Sequence, residues 1–432
     1  MIALAAILLA LPIATQSGVP DYRHNFLNHA LDSLFASTST ACLSGVTIRS
    51  FGEDYTVFGQ CIMVGMTHLS GMAFALVGLA IVRPFLWRTI SPRAVLLTAL
   101  VIQAVALLVM YPAWHNTDAA RVSDRLWWSI VHAGSAIWNT GLLLRTDGLA
   151  TYFTDFRISV AMTTLAIIGS LGLPFLIELI LPQPKSAEEQ PDNTANHVRR
   201  RLKKLPEFEA LAATILLGTG AVMLWYFDHP ASKVASWAPT RSLESVEDRI
   251  ALNDIPPEQR WPVGLFVSAT LRSTGLQSTT ISAGSLSWCT FGLMLMWMLI
   301  GGSAAGVAAG GRTAMFTLPL CLFRWKHEKS ELRSRLLKRL AIFIAVIVAG
   351  NVAAVSILNL VTDATPYEVA FEAVAAVNNV GLSTGLSLHL TPVGRLVMIG
   401  LFIAGRLGPI VFWLSIADLV RTSTIRNTLQ AA

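Results

Sequence analysis

The chain has 432 residues, of which 53% are hydrophobic and only 13% charged. A soluble domain carries about 25% charged residues, and a mean hydropathy of +0.58 points the same way. Composition therefore excludes a disordered chain, a nucleic-acid module and a set of soluble domains on a single anchor, and specifies a polytopic membrane protein. The cysteines Cys42, Cys61, Cys289 and Cys321 are scattered with no ligand-like spacing and read as small apolar residues of helices. Met1–Gln16 is apolar but lacks the basic start of a cleavable signal.

Apolar runs suited to crossing a bilayer occur at about 1–16, 57–82, 94–112, 157–181, 208–227, 286–322, 339–361 and 392–420. The first would rise only about 24 Å as a helix, against roughly 30 Å of hydrocarbon. Either its inner half is lost or the true start lies upstream. Between consecutive pairs stand shorter half-apolar stretches, about 25–45, 124–141, 259–275 and 366–381, each ending in glycine. They are too short to span and too apolar for solvated loops, which describes a re-entrant segment. The chain thus divides into span, re-entrant segment and span at 1–86, 94–182, 208–323 and 339–422, with a basic linker at 183–207.

Aligned on their glycines, the four segments read STACLSG to Gly45, SAIWNTG to Gly141, ATLRSTG to Gly275 and AAVNNVG to Gly381. A small residue stands six before each glycine, and an apolar one ten before: Phe35, Val131, Leu265 and Phe371. One such glycine is a weak signal; four in register are a repeat. Basic residues collect in the linkers between repeats (Arg83, Arg88, Arg93; Lys185, Arg199–Lys204; Arg324–Arg339) and in the tail (Arg421, Arg426). The opposite side has an acidic excess, including Asp21, Asp32, Glu53, Asp54, Asp118, Asp124, Glu244, Glu247, Asp248 and Asp254. Positive residues stay inside, so both termini are expected in the cytoplasm. The Arg199–Lys204 cluster is then a topology determinant, not a nucleic-acid site.

Four short helices entering from one side direct four C-terminal dipole ends, each partly negative, at a shared centre. The backbone after each helix is free to aim carbonyls at a dehydrated cation, and glycine permits the unusual angles this demands. These features together describe a cation-conducting pore of pseudo-fourfold symmetry.

At these residues the chain resembles the Trk/Ktr/HKT potassium transporters, most closely the KtrB/TrkH membrane-subunit branch. Ser37–Ile48 with Phe58–Gln60 is similar to the first pore loop of that family, and Ala136–Leu142, Leu271–Leu276 and Ala376–Thr384 to the other three. The resemblance implies an all-α integral membrane protein of four M1–pore loop–M2 repeats around a central pore. Its implied function is potassium uptake across the bacterial inner membrane, with sodium a further candidate ion and no organic cofactor in this chain. It further implies a homodimer in membrane lipid above a cytosolic nucleotide-binding ring of KtrA or TrkA type. The implied filter comprises Cys42, Leu43, Ser44 and Gly45; Trp138, Asn139, Thr140 and Gly141; Arg272, Ser273, Thr274 and Gly275; and Asn378, Asn379, Val380 and Gly381.

Gly301, Gly302, Ser303, Gly306, Gly310 and Gly311 lie in a run that resembles the family's intramembrane loop. Such a density of glycine cannot hold a continuous helix, and a break in lipid is tolerated where it lines a cavity. Tight helix packing through small residues is the alternative. The family has a proline where Ala304 stands and a Ser-Thr pair where Gly306 and Val307 stand. Arg406 sits in mid-span, where a lone cation costs several kcal/mol unless it meets water or a partner. The resemblance places it at the gating arginine beneath the filter. Arg272 matches a family arginine implied to brace the filter from behind by bonding backbone carbonyls. Trp138 stands where asparagine is common, a bulky departure expected to reshape the second loop. His68 and His132 read as packed polar groups.

Four other readings compete, one of them a loss-of-function paralogue, to which Trp138 and the altered intramembrane loop point. A sodium-selective relative often has serine at the first-loop glycine, which Gly45 opposes. A secondary transporter with broken helices would show two halves of opposite orientation, unlike four similar repeats. An intramembrane enzyme would need a catalytic pair inside the spans, whereas Glu178 and Asp418 lie near cytoplasmic ends.

Overall fold

The computed structural model describes residues 1–16, 26–116, 121–145, 156–181, 202–227, 257–272, 274–276, 288–308, 310–323 and 331–431. Lys185, Arg199–Arg201, Arg324–Lys329, Ser273 and the acidic Asp21, Asp118, Glu244, Glu247, Asp248 and Asp254 lie outside them. The described helices are α1 (Ile2–Leu9), α2 (Phe26–Ala41), α3 (Val57–Val82), α4 (Pro92–Met110), α5 (Val122–Ile137), α6 (Phe156–Leu171) and α7 (Leu173–Ile180). They continue with α8 (Leu205–Phe227), α9 (Pro257–Thr270), α10 (Trp288–Ile300), α11 (Ala314–Phe323), α12 (Glu331–Val361), α13 (Pro366–Val377) and α14 (Pro392–Ala431).

Local chemistry sets several starts. Thr56 and Ser91 cap α3 and α4 by accepting from the amides of Gly59 and Ala94. Thr365 and Glu368 form a reciprocal capping box on α13, with Pro366 at its first position. Helices α3, α4, α8, α12 and α14 are each long and apolar enough to cross a membrane. Half of the apolar window of α3 is buried against 22% for α4 and α12, so α3 lies inside the bundle and the other two stand at its outside. Leu97, Leu100, Val101, Val105 and Leu108 make that outer face on α4.

The four half-apolar stretches that end in glycine form the short helices α2, α5, α9 and α13. The bundle closes on itself. Phe35 of α2 meets Phe402 of α14 edge to face at 5.3 Å, and buried Asp32 of α2 bonds both Arg49 (2.8 Å) and Arg395 (2.6 Å). First and fourth repeats are thereby neighbours.

Two expectations need correction. The opening run yields only the eight-residue α1, followed by a 3-10 turn at Pro12–Ala14 that ends on a bridge from Thr15 to Tyr55. The run 157–181 is not one straight span: α6 and α7 meet at a 95° bend. Gly172 at the bend has φ +89°, and Pro174 lacks the amide that would continue the ladder.

Candidate functional site

Three of the four short helices deliver their glycine by the same local device. In the first, second and fourth repeats the helix ends in a Schellman motif. The amides of Ser44, Thr140 and Val380 reach back to the carbonyls of Ser39, Ser135 and Ala375 at 2.8–2.9 Å. The residue before each of those, Leu43, Asn139 or Asn379, is left-handed, with φ 54°, 54° and 45°. The third repeat differs: the Thr274 amide bonds Thr270 at 3.0 Å.

Gly45, Gly141, Gly275 and Gly381 all have positive φ, between +62° and +86°. A side chain on any of them would strike the next repeat. A Cβ on Gly45 would lie 1.7 Å from Thr140 O, and one on Gly141 2.7 Å from Thr274 O. On Gly275 it would lie 2.8 Å from Val380 O, and on Gly381 2.0 Å from Ser44 O. The order first, second, third, fourth and back to first closes a ring of glycines, each facing its neighbour's carbonyl. One face of this ring opens into a cavity of about 300 Å³, lined by all four glycines with Arg49, Asp54, Arg145 and Ser383. Glu372 of α13 accepts from the Thr384 amide (2.9 Å) and from the Ser383 hydroxyl, fixing the strand beyond Gly381.

The segment from Gly301 to Thr313 breaks its span between α10 and α11, with Gly301, Gly310 and Arg312 left-handed. It touches the second span of every other repeat. A Cβ on Gly78 of α3 would lie 2.5 Å from Ala305 O. At the α6–α7 bend, Ser303 and Val307 amides donate to Ser170 O (2.8 Å) and Gly169 O (3.1 Å), and the Ser303 hydroxyl to Leu171 O. Arg406 of α14, buried and stacked 3.9 Å over the Phe74 ring, donates to Val307 O at 2.6 Å. The loop thus contacts α3, the α6–α7 bend and α14 together. Arg312 holds the loop's shape by donating to the carbonyls of Ser303, Ala304 and Gly306. Glu209 of α8 anchors its far end, accepting from Thr313 and from Thr317 (2.9 Å).

The side chains of several residues expected in the filter reach partners outside the glycine ring. The Arg272 Nε donates to Gly301 O at 3.1 Å, tying the third segment to the loop. Trp138 does not reshape the second loop, which keeps the same Schellman closure as the first and fourth. Its indole is buried over Gly71 of α3, where a Cβ would come within 2.3 Å of the ring. Asn378 bonds Asn351 of α12 at 2.9 Å. His68 and His132 are packed as expected, bonding Val64 O and Trp128 O. Sequence reasoning missed Arg312, Glu209, Glu372 and the α6–α7 bend. Glu209 and Glu372 were visible as carboxylates that run into apolar stretches, each following a first-turn glutamate, Glu207 and Glu368.

A family model described as TrkH, cation transport protein, matches residues 86–420. The chain is 26% identical to the Ktr system potassium uptake protein B of Bacillus subtilis, over 96% of this chain and 90% of that protein. It is likewise 26% identical to the potassium/sodium uptake protein NtpJ of Enterococcus hirae, over 93% and 87%. Among solved structures, the potassium transporter TrkH from Vibrio parahaemolyticus shares the fold, with a TM-score of 0.60 at 14% identity over 88% of this chain and 76% of that one.

Proposed function

Because the chain belongs to the TrkH cation transport protein family, we propose that it takes up potassium across a bacterial inner membrane through the ring of Gly45, Gly141, Gly275 and Gly381. The observation that carries this reading is the cyclic closure of that ring, each glycine against the next repeat's carbonyl. The C-terminal ends of α2, α5, α9 and α13 direct partial negative charge to the same centre. Backbone oxygens there replace the water of a monovalent cation. The cavity of about 300 Å³ is the outer vestibule, and the Gly301–Thr313 loop with Arg406 is the gate beneath the ring. Both termini lie in the cytoplasm, and two copies associate above a cytosolic nucleotide-binding ring of KtrA or TrkA type.

Sodium entry through the same ring is a second reading, favoured by the potassium/sodium uptake named for the Enterococcus hirae relative. Expression in a strain lacking its own potassium uptake systems separates the two. Growth restored at low external potassium, with or without sodium, supports the first. Inserted protein that restores no growth while sodium accumulates supports the second.

A further inference from the structure

Asn139 and Asn379 occupy one place in two repeats, two residues before the ring glycine and left-handed. Asparagine tolerates that conformation, which explains the residue type but not the destination of its amide. Asn379 donates to Phe402 O of α14 at 3.1 Å. The Asn139 nitrogen faces Thr274 Oγ1 (2.6 Å) and Ala166 O (3.3 Å), while its oxygen accepts from the Ser170 amide (3.0 Å). The reverse orientation would set its oxygen against the Ala166 carbonyl. Phe402 and Ala166 each stand three residues before a glycine, Gly405 and Gly169. A Cβ on these would lie 1.7 Å from Val377 O and 2.1 Å from Ile137 O, so each lets its second span touch the end of a re-entrant helix.

Both second spans then hold the loop. Ser170 and Gly169 accept from Ser303 and Val307, and Arg406, next to Gly405, donates to Val307 O. In the second repeat the contacts run without a gap from Thr274 in the ring to Asn139, to Ser170, to Ser303 in the loop. The Asn139 amide lies against Ala166 O and Ser170 N, the two groups that one helical turn would join. A side chain interposed in that ladder is a cause of helix kinking, and the bend at Gly172 follows at once.

We infer that Asn139 couples the glycine ring to the intramembrane loop, so that displacing the loop changes how well the ring discriminates potassium from sodium. Asn139 is a positioning residue, acting through Thr274 and Ser170, and Asn379 is its counterpart in the fourth repeat. The inference rests on the uptake function proposed above.

A double-mutant cycle tests it, with rubidium and sodium fluxes measured in proteoliposomes holding the full chain. Asn139→Gly removes the amide, and glycine is the residue this helix-end position prefers. Ser303→Ala removes the hydroxyl that bonds Leu171 O and loosens the loop's seat. Ser303→Ala is expected to lower the rubidium-to-sodium flux ratio at least about threefold more in the native background than beside Asn139→Gly, a coupling typical of one hydrogen-bonded network. The cycle is repeated with Asn139→Ala, so that insertion of the glycine variant does not decide the result. Leu43→Gly, at the same place in the first repeat but without a polar side chain, should combine additively with Ser303→Ala. Equal effects of Ser303→Ala in both Asn139 backgrounds overturn the coupling, as does equally large non-additivity with Leu43→Gly. A native chain that passes neither ion overturns the uptake reading itself, in an arm that contains no variant.

Discussion

Gly45 carries two constraints at once: φ of +76° and a neighbouring carbonyl where a side chain would begin. Left-handed backbone alone costs another residue about 1–2 kcal/mol, enough for about a tenfold change in an equilibrium. Gly45→Ser should therefore cut selectivity for potassium over sodium by about that factor, read as sodium block of rubidium flux. Flux that stays sodium-resistant would count against the ring. Trp138 gives a stability test of a different kind. Gly71→Ala should overpack the indole and cost about 1–3 kcal/mol, and Trp138→Asn in the same chain should recover part of the lost melting temperature. No recovery would mean that the two residues do not oppose each other. The ring glycines were legible in the sequence because four segments share one conformational demand. The paths of the Arg272, Trp138 and Asn139 side chains were not, since each ends on a partner that only the folded chain brings near.

Among the elements, the interrupted third-repeat span was legible from glycine density, because a helix cannot hold so many residues of low propensity. The α6–α7 bend was not. Its apolar run is unbroken, and Gly172 with Pro174 also reads as an ordinary helix start. Yet the bend is what frees the carbonyls of Gly169, Ser170 and Leu171 to seat the loop. Arg406 tethers this assembly through Val307 O, and in the proposed gate it also acts as a charge. A like charge about 8 Å from a passing cation costs on the order of 2 kcal/mol at an effective dielectric of 20. Arg406→Ala is thus expected to raise potassium flux by more than about tenfold and to weaken its dependence on the regulatory ring. Deleting Ala304–Ala309 should do so more strongly, because it removes the obstruction itself. Unchanged flux from normally inserted Arg406→Ala protein would make the arginine structural.

At the scale of the whole molecule, the first and last of the four glycine-bearing regions meet through Phe35 and Phe402 and through Asp32 with Arg395, as the proposed fourfold pore requires. The all-helical membrane fold was legible, because length and hydropathy alone separate long apolar helices from shorter ones. The basic linkers suit an acidic partner surface as well as the membrane. Neutralising Arg199, Arg200 and Arg201 should weaken co-purification with the cytosolic ring, and unchanged co-purification at moderate salt would remove that role. The central claim, that the glycine ring passes potassium in preference to sodium, is tested most directly with the purified chain in liposomes. Rubidium should enter potassium-loaded liposomes, driven by the inside-negative potential that potassium efflux sets up, with external potassium suppressing the uptake and equimolar sodium leaving most of it intact. Equal suppression by the two ions, or no uptake by inserted protein, would contradict the claim.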